Sequence, residues 1–153
     1  MRVEISTAPF DALAELEAFA CGRTSGTGAL ASFVGYCRGE SDDGSGQIES
    51  LHLDHYPGFT ESEIARLAET IARRHGLIDV LVIHRAGGVA PREPIVLVAA
   101  ISAHRAAAFA AVAELMDYLK TDAPFWKREV SDGQSRWIEP TDVDRARRAA
   151  RGE

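Results

Sequence analysis

Two lysines stand apart in this chain. Of its 17 basic residues 15 are Arg and only two are Lys, and both, Lys120 and Lys127, fall within one eight-residue stretch. A lysine amine loses its proton when it is buried or crowded by other cations, whereas a guanidinium does not, so lysine serves as nucleophile or proton carrier where arginine will not. The plain alternative is arginine-biased coding with two survivors on a solvated face. A second constellation is Ser102-Ala103-His104-Arg105, where a helix N-terminus would favour an anion and the His and Arg side chains would add charge-assisted hydrogen bonds to a phosphate. The bland reading there is a solvated first turn. Arg38 follows the strand Phe33-Val34-Gly35-Tyr36-Cys37 and precedes a Gly/Ser/Asp-rich loop, a position suited to holding an anion or to an ordinary surface ion pair. His55-Tyr56-Pro57-Gly58 and Ile83-His84-Arg85 are weaker signals, since a histidine in an apolar strand is more often a hydrogen-bonded core residue. Cys37 is a possible nucleophile without an arguable triad.

Composition narrows the field. With 153 residues, 46% of them hydrophobic, the chain suits one compact domain over residues 1–153 that needs no disulfide or metal staple. A net charge of -6 and a pI near 5.4 argue against a general nucleic-acid or membrane-surface binder while leaving room for a small anionic pocket. Cys21 and Cys37 have no metal-ligand spacing and read as reduced thiols of a cytoplasmic protein. The acidic, amphipathic N-terminal stretch lacks the features of a signal peptide. HExxH, P-loop and GxGxxG motifs are absent, so metalloprotease, nucleotide-hydrolase and dinucleotide readings find no support.

The elements that must position these residues follow from periodicity and punctuation. Val3 and Ile5 alternate as a strand, and Phe10, Leu13, Leu16 and Phe19 recur at helical spacing. A strand over Ala29 to Cys37 leads into residues 39–47, which read as a mobile surface loop. Leu51, Leu53 and His55 form a third strand. Thr60 is placed to cap a helix with Glu63 completing a capping box, Ile64, Leu67, Ala68 and Ile71 forming its apolar face, and Gly76 ending it. Strands over 79–85 and 94–102 flank a turn region with Gly87, Gly88 and Pro91. Ser102 is placed to cap a long helix burying Phe109, Val112, Leu115 or Met116, and Leu119, which Pro124 stops. A hairpin over Phe125 to Glu139 and a basic helix from Thr141 close the chain. Strands paired between helices predict an α+β fold with a largely antiparallel sheet.

The segments Leu53-Asp54-His55-Tyr56-Pro57-Gly58, Ile83-His84-Arg85, Ser102-Ala103-His104-Arg105 and, above all, Lys120-Thr121 running into Ala123-Pro124-Phe125-Trp126-Lys127-Arg128-Glu129 resemble the large, catalytic subunit of molybdopterin synthase. The resemblance spans residues 28–140 in order and spacing. It implies an α/β-hammerhead-like fold and an enzyme of molybdenum cofactor biosynthesis, which adds two sulfurs to cyclic pyranopterin monophosphate to make the dithiolene of molybdopterin. The sulfur would come from the C-terminal thiocarboxylate of a small ubiquitin-like subunit ending in Gly-Gly. A homodimer of large subunits would lie within a heterotetramer, with no metal or other cofactor at this step and no nucleic acid or membrane as partner.

By position, the resemblance assigns substrate contacts to Tyr36, Cys37 and Arg38, to His104 and Arg105, to Lys120, and to Lys127, Arg128 and Glu129. Lys120 would be the principal acid/base or nucleophilic residue and Lys127 its electrostatic partner, with mutual lowering of their pKa values by like charge. Two positions depart from the family pattern: Gly39-Glu40-Ser41, where Asn or Asp usually follows the arginine, and Arg92-Glu93, where Gly-Glu is common. His104 and Lys120 lie 16 residues apart on one expected helix, a separation of about 24 Å at 1.5 Å per residue. A shared site therefore requires His104 and Arg105 to come from a neighbouring protomer. The competing readings are a non-catalytic module that binds a pterin or a ubiquitin-like tail, and a phosphate enzyme of pterins or nucleotides outside this family.

Overall fold

A computed structural model describes residues 1–40, 46–131 and 133–150. Elements run β1 (Arg2–Ser6), α1 (Ala12–Ala20), β2 (Ala29–Tyr36), β3 (Ser50–His55), α2 (Phe59–His75), β4 (Asp79–Arg85), β5 (Gly87–Val89), β6 (Pro94–Ser102), α3 (Arg105–Thr121), β7 (Phe125–Ser131), β8 (Gln134–Ile138) and α4 (Asp142–Ala149). The fold is α+β, as expected, but its strands divide into two four-stranded sheets rather than one. The first has the order β1-β4-β6-β2, antiparallel except for the β1–β4 pair, and the second the all-antiparallel order β5-β3-β7-β8.

The central strands β4 and β6 are apolar on both faces because helices cover both. Val80 and Val82 on β4, with Val96, Val98 and Ala100 on β6, pack against α2 and α3 through Ile64, Ile71, Ala111 and Leu115. The alternate residues Leu81, Ile83, Leu97 and Ala99 face α1 through Leu16 and Phe19. A smaller core of Leu51, Leu53, Val89 and Cys37 lies under the second sheet.

Several local expectations are corrected. Thr60 does not cap α2: the N-cap is Gly58 at φ 81°, whose N–H donates to Glu61 at 2.6 Å. Thr60 is instead fully buried as the second residue of the helix, accepting from the Tyr56 N–H at 3.0 Å and donating to the Pro124 carbonyl at 3.3 Å. Ser102 does not cap α3, since His104 occupies the N-cap and its N–H donates to the Ser102 hydroxyl at 3.2 Å. Phe109 is 68% exposed, because the buried stripe of α3 runs through Ala108, Ala111, Val112, Leu115 and Leu119, one position away. The Gly87-Gly88 turn region contains β5, which pairs with β3. The predicted loop over 39–47 is closed by a Glu40–Gln47 bridge and an Ile48 N–H to Gly39 carbonyl bond, with residues 41–45 outside the described part.

Candidate active site

Lys120 occupies the last turn of α3 and Lys127 the middle of β7. Asp122 and Ala123 close the helix by donating their N–H groups to the Tyr118 carbonyl, so the chain reverses within a few residues and returns along β3. The β3–β7 register sets Lys127 opposite Leu53 and Glu129 opposite Leu51, on the face of the second sheet that looks inward. Two adjoining cavities, of about 430 and 340 Å³, share Leu119, Lys120 and Lys127 in their walls. The first continues to Trp137, Thr141 and Asp144, and the second to Phe33, Tyr36, Arg38, His84 and Met116. A smaller cavity of about 150 Å³ adds Cys37 and Glu129 beside both lysines. Such volumes suit a small organic ligand.

The approach of β2 to this site depends on an irregularity. Between Gly35 and Tyr36 the β2–β6 register shifts, so that Gly35 opposes Val96 and Tyr36 opposes Pro94. A Cβ on Gly35 would lie 2.9 Å from Val96 Cγ1, so only glycine fits there without displacement. Beyond the shift, the Cys37 N–H donates to the Glu93 carbonyl and the Cys37 carbonyl accepts from the Arg92 N–H, which aims Tyr36, Cys37 and Arg38 at the lysines. Arg92 has φ 73°, the left-handed conformation natural to glycine, so its departure from the family pattern falls where glycine would be favoured.

The electrostatics follow from this packing. Burial pushes the Lys127 amine below its ordinary pKa, the Lys120 charge lowers it further, and Asp144 opposes both. Lys120 Nζ lies 3.7 Å from Asp144 Oδ1. Burial alone would raise the Asp144 carboxyl, but bonds from the Thr141 hydroxyl and N–H, then the Lys120 charge, hold it below the usual range. Burial pushes the Cys37 thiol up against a hydrogen bond from the Leu51 backbone, with Glu129 and Glu93 adding to the rise, so this sulfur is a protonated wall group rather than a thiolate.

Of the residues singled out in the sequence, Tyr36, Cys37, Arg38, Lys120, Lys127 and Glu129 converge on these cavities. Arg128 does not: strand alternation turns it to the other face, where it reaches Asp54 at 3.3 Å and lies 5.3 Å from the Trp137 ring. His104 and Arg105 are exposed at the opposite end of an unbroken α3 and line neither cavity. Asp144, which the sequence did not single out, and His84, which it offered only as a weak signal, also line the cavities. The Thr141-x-x-Asp144 capping pattern was readable, but its contact with Lys120 is long-range. His84 was signalled by period-two alternation from Val80 and Val82, which carries it to the α3 side of β4.

An α+β domain in which the end of α3 and strand β7 bring a lysine pair to one cavity defines a class that the comparisons make specific. The family model described as MoaE protein matches residues 5–122. The molybdopterin synthase catalytic subunit of Cereibacter sphaeroides is 49% identical over 146 residues, covering 95% of this chain and 97% of that protein. The MoaE protein of Burkholderia ambifaria superposes with a TM-score of 0.80 at 40% identity, covering 99% of this chain and 97% of that one. A complex of subunits 1 and 2 of molybdopterin-converting factor from Helicobacter pylori shares the fold, with a TM-score of 0.72 at 21% identity and 89% coverage of both chains. The chain belongs to the molybdopterin synthase catalytic subunit family, the sulfurtransferase subunits of molybdenum cofactor biosynthesis.

Proposed function

We propose that this chain transfers sulfur from the C-terminal thiocarboxylate of a small ubiquitin-like subunit to cyclic pyranopterin monophosphate, forming the dithiolene of molybdopterin. The observation that carries the reading is the meeting of Lys120, Lys127 and Arg38 around one small-molecule cavity. Arg38 neutralises phosphate charge, while Lys127, its amine lowered in pKa, and Lys120 attract the thiocarboxylate and move protons as the cyclic phosphate opens and the acyl group leaves. Lys120 is the principal acid/base or nucleophilic group, Lys127 its electrostatic partner, and Tyr36, Cys37 and Glu129 form the wall. No metal or nucleotide enters this step, and the reaction belongs in the cytoplasm. The complex of subunits 1 and 2 of molybdopterin-converting factor from Helicobacter pylori, which shares this fold, supports a protein partner for this chain.

His104 and Arg105 join the same site only from a second protomer, since about 24 Å of helix separates His104 from Lys120 within one chain. The assembly proposed is therefore a homodimer of catalytic subunits with a small subunit at each end. Arg128, on the far face of β7, serves the sheet surface rather than the substrate.

Incubation with thiocarboxylated small subunit and cyclic pyranopterin monophosphate, followed by assay for molybdopterin, tests the activity. Product should form, and folded protein that yields none would overturn the reading. Lys120→Arg keeps the charge and removes the titratable amine, so full activity in that variant would overturn the acid/base or nucleophilic role of Lys120. Mixed dimers of Lys120→Ala and Arg105→Ala chains should regain activity through the one site that is intact. Intact dimers without rescue would rule out the shared site.

A further inference from the structure

Helix α4 buries none of its residues, so apolar packing does not explain where it sits. Only Asp144 and Arg148, one turn apart and both directed at α3, are even half-buried. The Arg148 guanidinium lies 3.8 Å from the Tyr118 ring centroid and its Nε donates to Asp122 Oδ2 at 2.7 Å, while Asp144 Oδ1 lies 3.7 Å from Lys120 Nζ. These contacts fall on the last turn and C-cap of α3, the stretch that carries Lys120. The two Asp144 oxygens have separate tasks. Oδ2 belongs to the capping box, accepting from the Thr141 hydroxyl at 2.8 Å and from the Thr141 N–H at 3.2 Å. That box fixes the carboxylate and leaves Oδ1 turned to the lysine, in the wall of the cavity of about 430 Å³. An ion pair at this distance on a half-exposed lysine adds little to stability. What it supplies is direction, since the lysine head otherwise swings on a flexible four-carbon stem.

We infer that Asp144 is a positioning residue of this site, whose Oδ1 holds the Lys120 ammonium at the wall common to the two lysine cavities until an arriving thiocarboxylate takes that ammonium over. This inference rests on the reading of Lys120 as an active-site group. The other charged groups about the pair are Lys127 on β7, Arg147 on α4 and Glu139 just beyond β8, the last paired with Arg145. Two neighbouring ammonium groups repel, and the Asp144 charge offsets that repulsion at Lys127, whose pKa it raises against the lowering by burial and by Lys120. The Thr141 bonds keep Asp144 ionised, so the counter-charge is present whenever the site is empty. A carboxylate left in place would weaken the pull of Lys120 on an incoming anion. Held at 3.7 Å, beyond a tight hydrogen bond, it orients the amine and yields it readily.

With two lysines in the chain, ¹³C-lysine labelling yields two side-chain signals, assigned with Lys120→Arg, and the order of each Cε is read by relaxation on the full chain without substrate. Asp144→Asn keeps an oxygen for the capping box and removes the charge, and both cores stay packed because α4 contributes no buried residue to them. The Lys120 order parameter should fall in this variant while that of Lys127 holds. In molybdopterin formation kcat should drop about tenfold, the scale of a misplaced catalytic group, with no rise in KM for the thiocarboxylated small subunit, since a competing carboxylate has been removed. Asp144→Glu, which restores the charge, should recover most of the kcat. Unchanged Lys120 order in Asp144→Asn, or an Asp144→Glu enzyme as slow as Asp144→Asn, would overturn the inference. Should Asp144→Asn unseat α4, the wild-type chain supplies the same test: salt at about 1 M screens a half-exposed pair and should lower the Lys120 order parameter, and a constant value there refutes the contact. Full molybdopterin formation by Lys120→Ala would overturn the underlying reading of Lys120, an outcome separate from the substrate-free measurement.

Discussion

Acidification should destabilise this protein partly through one imidazole, and by an amount that can be worked out. His84 is buried, and its pKa is pushed down to about 3 by burial first and by Lys127 second, against the ordinary histidine value of 6.5. Between those values the unfolded chain binds a proton that the folded chain refuses, so stability rises with pH across the window. The contribution is fully present above pH 6.5 and is lost as the pH falls toward 3. Each pH unit inside the window corresponds to about 1.4 kcal/mol, so passing from pH 7 to pH 5 removes about 2 kcal/mol through this group alone. His84→Phe keeps a flat ring against Phe125 and abolishes the titration. Urea unfolding of both proteins at pH 7 and pH 5, at one protein concentration, gives the double difference, to which the other four histidines contribute equally in both proteins. The variant should lose about 2 kcal/mol less than the wild type on acidification. Parallel losses in the two proteins would refute the claim that His84 is held neutral by its surroundings.

Other perturbations test the packing around the site. Glu114 is a buried carboxylate on α3 that pairs with Arg74 and with His75 Nε2 at 2.7 Å. Arg74→Met leaves that charge under-compensated and should cost about 3 kcal/mol in urea unfolding, against about 1 kcal/mol for Glu114→Gln; the reverse order would contradict the assignment. Arg92→Gly relieves a left-handed residue and should stabilise by roughly 0.5–1 kcal/mol, read as a higher thermal midpoint. Cys21 is exposed whereas Cys37 is buried with its thiol pKa raised. Timed alkylation followed by peptide mass spectrometry should therefore label Cys21 well before Cys37.

The lysines were legible because their rarity in an arginine-rich chain is a property of composition, and the helix carrying His104 and Lys120 because its alanine-rich run between Ser102 and Pro124 has clear stops. Strand alternation along β7 contained the separation of Lys127 from Arg128, which carry-over by motif ignored. Other features were hidden because they depend on contacts remote in sequence. Thr60 resembles an N-cap locally, yet its hydroxyl is claimed by Tyr56 and by Pro124, 64 residues away. Phe109 fits a helical stripe until the position of α3 against β2 and β6 decides which side is covered. Gly87-Gly88-Val89 reads as a turn because only β3, 34 residues earlier at Leu53↔Gly87, supplies the pairing that makes it a strand.

The bond from the buried Thr60 hydroxyl to the Pro124 carbonyl falls in the short connection between the two lysines. Like charges drawn together push back on whatever joins them, and here the joint is pinned to the first turn of α2. The spacing of the two cations is therefore set by a neutral side chain that lines none of the described lysine cavities. Fraying at the start of α2 would let the lysines drift apart while both cores stayed packed, so sulfur transfer would fail before the fold does.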